Sequence, residues 1–406
     1  FRRVLFRSKG GEGGITISGN KYCFLRTHDS RGSKKAVVLS FRKTGFHQIR
    51  AKIQVKSRMA CKISSDFRLI DDEAGLEDAL HELKREIIDN SRFIAVDCEG
   101  VNLSRKGALT IITVATEDKV YIFDVLKLEK AVFSFGLGEI LEDKSIGKLM
   151  FDCREDSDAL WHQFNIKLTG VLDLQLLEIL YRRENDTATR HEPFSAGYTR
   201  RSHRPYEVES IYGFRRCLEL YLQDDELIKM KNEGKILMKK DYGVWKKRPL
   251  SDELMEYCIV DTTAMFKLYE KMKDVKEREE ARLRVASEKY ANLYRQKSVR
   301  FFDDYEMNAL LPLDIIPEKG KLYFPHANTE CVECLRRFPR EEFSNTQLRN
   351  GEPKCRVCKK IKLKEDEERS RDIQDFYKFL RFEVFSRYSD DDFICGDSDD
   401  EYSVYW

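Results

Sequence analysis

Phe93-Ile94-Ala95-Val96-Asp97-Cys98-Glu99-Gly100 runs four apolar residues into two acids that flank a cysteine, then a glycine. The apolar part reads as a short buried strand. Side chains alternate along a strand, so Asp97 and Glu99 share one face at its C-terminal end, where open α/β sheets place their sites. Two carboxylates held together repel, and a divalent cation is the natural relief. Taken alone, an Asp-x-Glu at a strand end fits a plain turn or a structural pair at least as well.

The surroundings decide the fold class. Upstream, Glu73–Asn90 carries Leu76, Ala79, Leu80, Leu83, Ile87 and Ile88 at helical spacing. Downstream, Leu109–Ala115 and Val120–Phe123 read as strands, with Glu117-Asp118-Lys119 as a hairpin turn, and Lys148–Phe151 as another strand. Helical patterns follow at Asp156–Phe164, Leu174–Arg182, Phe214–Leu222 and Asp252–Met272. Hairpin-paired strands followed by strands alternating with helices predict an α/β domain with a mixed sheet. The polar, basic stretch Arg183–Pro205 interrupts this pattern as a long loop.

Two further segments carry chemistry-bearing residues. Phe151-Asp152-Cys153-Arg154-Glu155-Asp156 opens a helix after a strand. Asp156 shares a helical face with Leu160, so its carboxylate can aim back over the sheet while the next turn packs. Asp152, Glu155 and Asp158 compete for that role, and helix N-termini attract acids for dipole reasons alone. Tyr257 and Asp261 stand at i and i+4 on one helix face. Each piece by itself is more often structural than catalytic.

In combination and in this order, the segments Phe93–Gly100, Phe151–Leu160, Trp245–Leu250 and Tyr257-x-x-x-Asp261 resemble the three motifs of the DEDDy 3′–5′ exonucleases. The resemblance is to the ribonuclease D-like branch that includes Egalitarian and the exonuclease 3′–5′ domain-containing proteins, and it covers roughly Phe67 to Met272. It implies a ribonuclease H-like mixed sheet flanked by helices. It also implies Asp97 and Glu99 as the first motif, Asp156 as the second, and Tyr257 with Asp261 as the third. Asp173 matches a family aspartate expected to cap a helix. Phe151 stands where relatives often have His or Asn, Thr113 where a Gln is common, and Arg183–Pro205 reads as an insertion.

Asp97, Glu99, Asp156 and Asp261 offer the hard oxygen ligands that Mg²⁺ or Mn²⁺ prefer. The implied chemistry is a two-ion hydrolysis releasing 5′-mononucleotides, with Tyr257 orienting the attacking water. A phenol of pKa near ~10 is a poor base at neutral pH. Single-stranded RNA is expected over DNA because of the branch resembled. The competing expectation is a nucleic-acid-binding adaptor with a nuclease fold and little turnover.

Charge and cysteines frame the rest. The 406 residues carry a formal net charge of +2, so bulk charge names no partner. Residues 1–62 hold 16 Lys/Arg and 2 acids, whereas residues 390–406 hold 7 acids and no base. We expect residues 1–65 to be a basic, mostly disordered leader, with residues 2–8 matching the translation of a common sequencing-library adapter. No apolar run approaches the ~18 residues of a membrane span, so no membrane association is expected. Eleven cysteines, an odd number, predict a reduced, intracellular protein, nuclear or cytoplasmic.

Four of these cysteines form Cys331-x-x-Cys334 and Cys355-x-x-Cys358, with 20 residues between the pairs. That spacing predicts one structural Zn²⁺ in a closed four-thiolate site, whose metal supplies folding energy to a module with little core. Phe343-Ser344-x-x-Gln347 resembles a LIM-like zinc domain of RNA-interference adaptors, which implies protein or RNA contact. Lys354, Arg356, Lys359, Lys360, Lys362 and Lys364 suit either a phosphate backbone or a solvated helix start. His326 is a reserve ligand or an exposed linker residue. The expected organisation is an exonuclease domain over 66–275, a charged helix and linker over 276–327, the zinc module over 328–365, and a helix with an acidic tail over 366–406.

Overall fold

The structure, a computed structural model, describes residues 22–28, 34–44, 48–56, 66–89, 93–189, 210–311, 314–324 and 326–388. Strands β1 (Tyr22–His28), β2 (Lys34–Thr44) and β3 (Gln48–Lys56) pair antiparallel in that order. These strands fall within the span expected as a basic leader. Gln48–Lys56 alternates Ile49, Ala51, Ile53 and Val55 with polar residues, a period of two that the high content of Lys and Arg obscures. Residues 1–21, which include the adapter-like stretch, lie outside the described residues, as do residues 190–209 and the acidic tail.

The central element is a six-stranded mixed sheet. In chain order come β4 (Asp66–Ile70), α1 (Glu73–Asp89), β5 (Phe93–Val101), β6 (Ala108–Ala115) and β7 (Lys119–Asp124). Short α2 (Val125–Leu128) and α3 (Gly138–Glu142) lead to β8 (Gly147–Met150), α4 (Arg154–Phe164), β9 (Val171–Asp173) and α5 (Leu174–Thr189). Strand order is β4-β7-β6-β5-β8-β9. β5, β6 and β7 form an antiparallel meander, β8 and β9 extend it in parallel to β5, and β4 adds in parallel to β7. The expected hairpin turn is present, with Thr116 N–H donating to Lys119 O at 2.9 Å.

Ile94, Ala95 and Val96 of β5, and Ile111, Ile112 and Val114 of β6, have no exposed surface. Consecutive buried residues present apolar groups to both faces, so helices must cover both. The cover comes from α1 and α4 and from the later helices α8 (Asp252–Lys271) and α9 (Lys273–Arg295), with α7 (Asp225–Lys240) packed on α8 and the short α6 (Phe214–Cys217) preceding it. α9 falls in the segment expected as a charged helix and linker, and Leu283, Ala286 and Tyr290 on it are buried in the same core. The nuclease unit therefore extends past residue 275. Charge on the outer face of α9 hides the apolar stripe that docks it.

The remaining elements are β10 (Thr329–Glu330), β11 (Arg337–Phe338), α10 (Asn345–Arg349) and α11 (Arg356–Tyr388). Phe338, Phe343, Val357 and Ile361 make a small second core around the cysteines. Among the described residues no helix is long and apolar enough to cross a membrane.

Candidate active site

The central strand β5 presents the first two acids. Asp97 faces Thr113 across the antiparallel pair, and the register slips between Glu99 and Gly100. Gly100 is required there, because a Cβ would stand 1.9 Å from Ala108 O. Cys98, on the opposite face, is buried at 5% exposure, which leaves Asp97 and Glu99 on the side covered by α8.

α8 starts at Ser251, whose side chain accepts the Leu254 amide hydrogen. Three turns in, the helix brings Asp261 over β5. Carboxylate oxygens of Asp97, Glu99 and Asp261 lie within 4.8 Å of one another. Tyr257 is one turn earlier, packed edge-on against Trp245 with ring centroids 6.1 Å apart. Trp245 is 2% exposed, so it supports Tyr257 from within the core.

Asp156 reaches the site differently. Its Oδ1 accepts the Cys98 amide hydrogen at 3.0 Å, so it borders the three-carboxylate group from the β5 backbone without joining it. Asp173 aligns that helix: Oδ2 accepts from Cys153 N at 2.9 Å, while Oδ1 caps α5 by accepting from Gln175 N and Leu176 N. The three competing acids are engaged elsewhere. Asp152 pairs with Arg154, Glu155 with Arg300, and Asp158 with both Arg105 and Arg300.

Lys231 and Gly234 are the residues that the sequence did not reveal. Lys231 Nζ donates to Asp261 Oδ1 and Oδ2 at 2.6 and 2.7 Å and to the Tyr257 hydroxyl at 3.0 Å. It also lies 4.3 Å from the Tyr257 ring centroid. Gly234, one turn on, lets α7 approach: a Cβ there would stand 2.5 Å from Tyr257 Cδ2. The signal was the i, i+3 pair of Lys and Gly, but α7 itself is rich in lysine and reads as solvated.

Crowding of like charge away from water governs the electrostatics. Asp97 is held well above the usual carboxylate range by burial, then by Glu99, Asp261 and Asp156. Burial, then Asp261, pushes Glu99 up to about 8. Burial first, with Asp152 adding, pushes Asp156 up to about 7. Burial raises Asp261 too, against the opposing pull of Lys231. Tyr257 is held far above a normal phenol by burial and then by Asp261, so it stays protonated.

This donor set fits a hard divalent cation. Asp97 Oδ2 is buried and has no hydrogen-bond partner, and three crowded carboxyl groups against one ammonium are relieved by protons or, equally, by a cation that displaces them. Oxygen-only ligands suit Mg²⁺ or Mn²⁺. Of the family departures, Phe151 packs on Phe214 at 4.9 Å between centroids, and Thr113 is buried with its hydroxyl unpartnered.

The four cysteine sulfurs Cys331, Cys334, Cys355 and Cys358 also lie within 4.8 Å of one another. Cys331–Cys358 and Cys334–Cys355 are 3.8 and 3.9 Å apart, close to the ~3.8 Å edge of a tetrahedron with ~2.3 Å Zn–S bonds. With four thiols converged, His326 is not needed to complete the set. Ser344 and Gln347 form a reciprocal capping box on α10, a structural task for that motif. Much of the surrounding basic charge is locally spent: Lys354 pairs with Glu333, Arg356 with Glu342, and Lys362 with Glu365 and Asp366. The solvated-helix reading of these residues is favoured. Asp314 ties the module to the nuclease unit, pairing with Lys289 of α9 at 3.0 Å and with Arg336 beside the first knuckle.

Comparison with known proteins gives the lineage. A piRNA biogenesis protein EXD1 from Xenopus laevis is 28% identical over 231 residues, 56% of this chain and 47% of that protein. The Mus musculus protein of the same name is 43% identical over 93 residues, 23% of this chain and 16% of that one. The chain thus matches less than two thirds of the length of these relatives. The solved structure of Trypanosoma brucei RNase D in complex with GMP superimposes with a TM-score of 0.49 at 23% identity, covering 72% of this chain and 81% of that one. A family model described as 3′–5′ exonuclease matches residues 67–277, the span that carries Asp97, Glu99, Asp156, Tyr257 and Asp261. Because that match takes in more than half of the chain, the protein belongs to the 3′–5′ exonuclease family.

Proposed function

We propose that the chain is a metal-dependent exonuclease that hydrolyses nucleic acid, RNA in preference to DNA, from the 3′ end to 5′-mononucleotides. One observation carries this reading: Asp97, Glu99 and Asp261 converge within 4.8 Å, with Asp97 Oδ2 buried and unpartnered. Asp97, Glu99 and Asp261 would hold Mg²⁺ or Mn²⁺, and Asp156 would complete the set for a second ion. Bound there, the ions supply positive charge that activates water and stabilises the phosphoryl oxygens. Tyr257 contributes a protonated hydroxyl whose place is set by Trp245 and Lys231, suited to orienting a water and not to removing its proton. The RNA preference is supported by the names of the piRNA biogenesis relatives. The zinc module, with one Zn²⁺, would serve as a contact for protein or RNA. Buried, unpaired Cys98, Cys153, Cys217 and Cys258 support an intracellular setting.

The second reading is an RNA-binding adaptor of low turnover, and Lys231 favours it, since a tethered ammonium already neutralises Asp261. Degradation of 5′-labelled single-stranded RNA and DNA, each with Mn²⁺, Mg²⁺ or EDTA, separates the two. The exonuclease gives a metal-dependent ladder shortening from the 3′ end that vanishes in Asp97→Ala. Intact RNA that is nevertheless bound selects the adaptor.

A further inference from the structure

A cleft of about 150 Å³ lies at the N-terminal ends of β8 and β9, opposite the strand end that carries the acids, between the loop 143–146 that enters β8, the loop 165–170 that enters β9, and one face of α9. Gly147 of β8 pairs with Phe93 of β5. Asp97 is four residue steps along the strand from Phe93, so the cleft is upwards of about 13 Å from the carboxylates. Its lining includes Lys144, Lys167, Arg284 and Arg295, with Glu288 as the one acid.

Compensation of buried charge singles this place out. Seven lysines and arginines are buried among the described residues. Five have a carboxylate within 4.0 Å: Arg154, Lys231, Lys276, Arg282 and Arg300. The other two, Arg295 and Lys148, have none: Arg295 of α9 lines the cleft, and Lys148 of β8 lies behind it, its ammonium on the Asp143 carbonyl of the loop 143–146. Arg295, 6% exposed, donates Nη1 to Leu168 O at 2.9 Å and Nη2 to Asn292 Oδ1 at 2.5 Å. A guanidinium has five N–H donors, so most of its capacity is unspent while it lines an open cleft. Lys148, fully buried, donates only to the Asp143 carbonyl, and the Asp143 carboxylate is occupied by Ser145. Burial depresses both cations, Lys148 to about 8. A buried cation without a counterion is costly, and an anion is what the arrangement lacks. Arg284 is already paired with Glu280, whereas Lys144 and Lys167 stand exposed at the mouth.

We propose that this cleft binds a phosphate group, gripped by Arg295 from within and by Lys144 and Lys167 at its mouth. The planar fork of Arg295 matches phosphate oxygens, and several water volumes of space accommodate the group with its ester oxygen. The phosphate belongs either to a small phosphate or nucleoside monophosphate, or to the backbone of a nucleic-acid strand. The site stands on its own and does not depend on the metal-site reading.

The test is isothermal titration of the full-length, zinc-loaded chain without added divalent ions, using inorganic phosphate, a nucleoside 5′-monophosphate and a short single-stranded oligonucleotide. Wild type should bind at least one of them saturably, and Lys144→Ala/Lys167→Ala should weaken that binding by about tenfold. Both lysines are exposed, so the double variant should melt like wild type. A response to phosphate or monophosphate identifies a small ligand or terminal phosphate, and a response confined to the oligonucleotide identifies the strand backbone. Arg295→Met should lose the ligand-induced rise in melting temperature. Absence of saturable binding for all three, or binding that the double variant weakens less than about threefold, overturns the site.

Discussion

Lys231 Nζ sits 2.6 and 2.7 Å from the two carboxylate oxygens of Asp261, so the third motif's aspartate is neutralised by the protein's own cation. The ammonium does for the metal-free site part of what a divalent ion would do. Lys231→Met should therefore cost the metal-free protein about 3 kcal/mol, because it leaves a buried carboxylate unpaired. Mn²⁺ should raise the melting temperature of the variant by more than that of wild type, since it binds the folded state without a competitor. Equal shifts in the two proteins would show that Lys231 does not compete for Asp261.

Tyr257 is held by a close approach that tolerates no added carbon. Gly234→Ala places a methyl 2.5 Å from Tyr257 Cδ2 and 2.9 Å from its Cβ, near the backbone, where the ring cannot swing aside. We expect about 1–3 kcal/mol of destabilisation from overpacking, with a fall in nuclease rate. Tyr257→Phe keeps the Trp245 packing and should preserve the melting temperature while losing about 100-fold in rate. Melting curves alongside turnover separate the two. Unchanged hydrolysis by Tyr257→Phe would remove the phenol from the mechanism.

Four acids lie within seven residues of one another in Asp152–Asp158, and the structure gives them different work. Asp158 has no exposed side-chain surface and pairs with Arg105 and with the equally buried Arg300. Asp158→Ala takes from Arg105 its carboxylate partner and from Arg300 one of three, the others being Glu155 and Glu306, and should destabilise the fold by about 1–3 kcal/mol. Asp156→Ala relieves crowding, which offsets the loss of the acceptor for the Cys98 amide hydrogen, and should leave stability within about 1 kcal/mol of wild type while reducing divalent-ion binding. Denaturant unfolding of both variants checks the contrast. A larger loss for Asp156→Ala than for Asp158→Ala would reverse the assignment of architectural and site roles.

This cluster also marks how far the sequence was legible. The strands around Asp97 and the helix of Tyr257 and Asp261 follow from local periodicity, which survives in one dimension. Which of Asp152, Glu155, Asp156 and Asp158 faces the site depends on Arg105 and Arg300, distant in sequence, and Asp156 was favoured only by its place one turn before Leu160 and by the family resemblance. Lys231 was illegible for the same reason. A lysine on a helix rich in lysine has no local mark of burial, and its partner lies thirty residues away. The strands of residues 22–56 were masked by charge, not by lack of pattern.

The zinc module should be a stability element of the whole protein. Asp314 is held between Lys289 of α9 and Arg336 of the first knuckle, so loss of the metal loosens a clamp on the nuclease unit. Metal analysis should give one zinc per chain. Cys355→Ser should abolish it and lower the melting temperature by several degrees, through the folding energy that a structural zinc contributes. Retention of the wild-type melting temperature without zinc would make the module an independent appendage.

Acidity should act on the metal-free protein in an unusual direction. Unfolded, glutamate and aspartate carboxyls titrate near ~4.3 and ~3.9. Folded, Glu99 is pushed up to about 8 and Asp156 to about 7, chiefly by burial. Between those values the folded state holds protons that the unfolded chain has released, so unfolding free energy falls as pH rises. The stability contributed by these protonated acids is complete at acid pH and is lost by about pH 8. A divalent cation takes the place of the protons, so its affinity should climb over the same interval with proton release on binding. Melting curves from pH 5.5 to 8 should slope downward without added divalent ions, flatten with Mn²⁺, and lose part of the slope in Glu99→Gln. A metal-free melting temperature that rises across that range would mean that the carboxylates are ionised and otherwise compensated, and the metal-free site would need a counter-charge beyond Lys231.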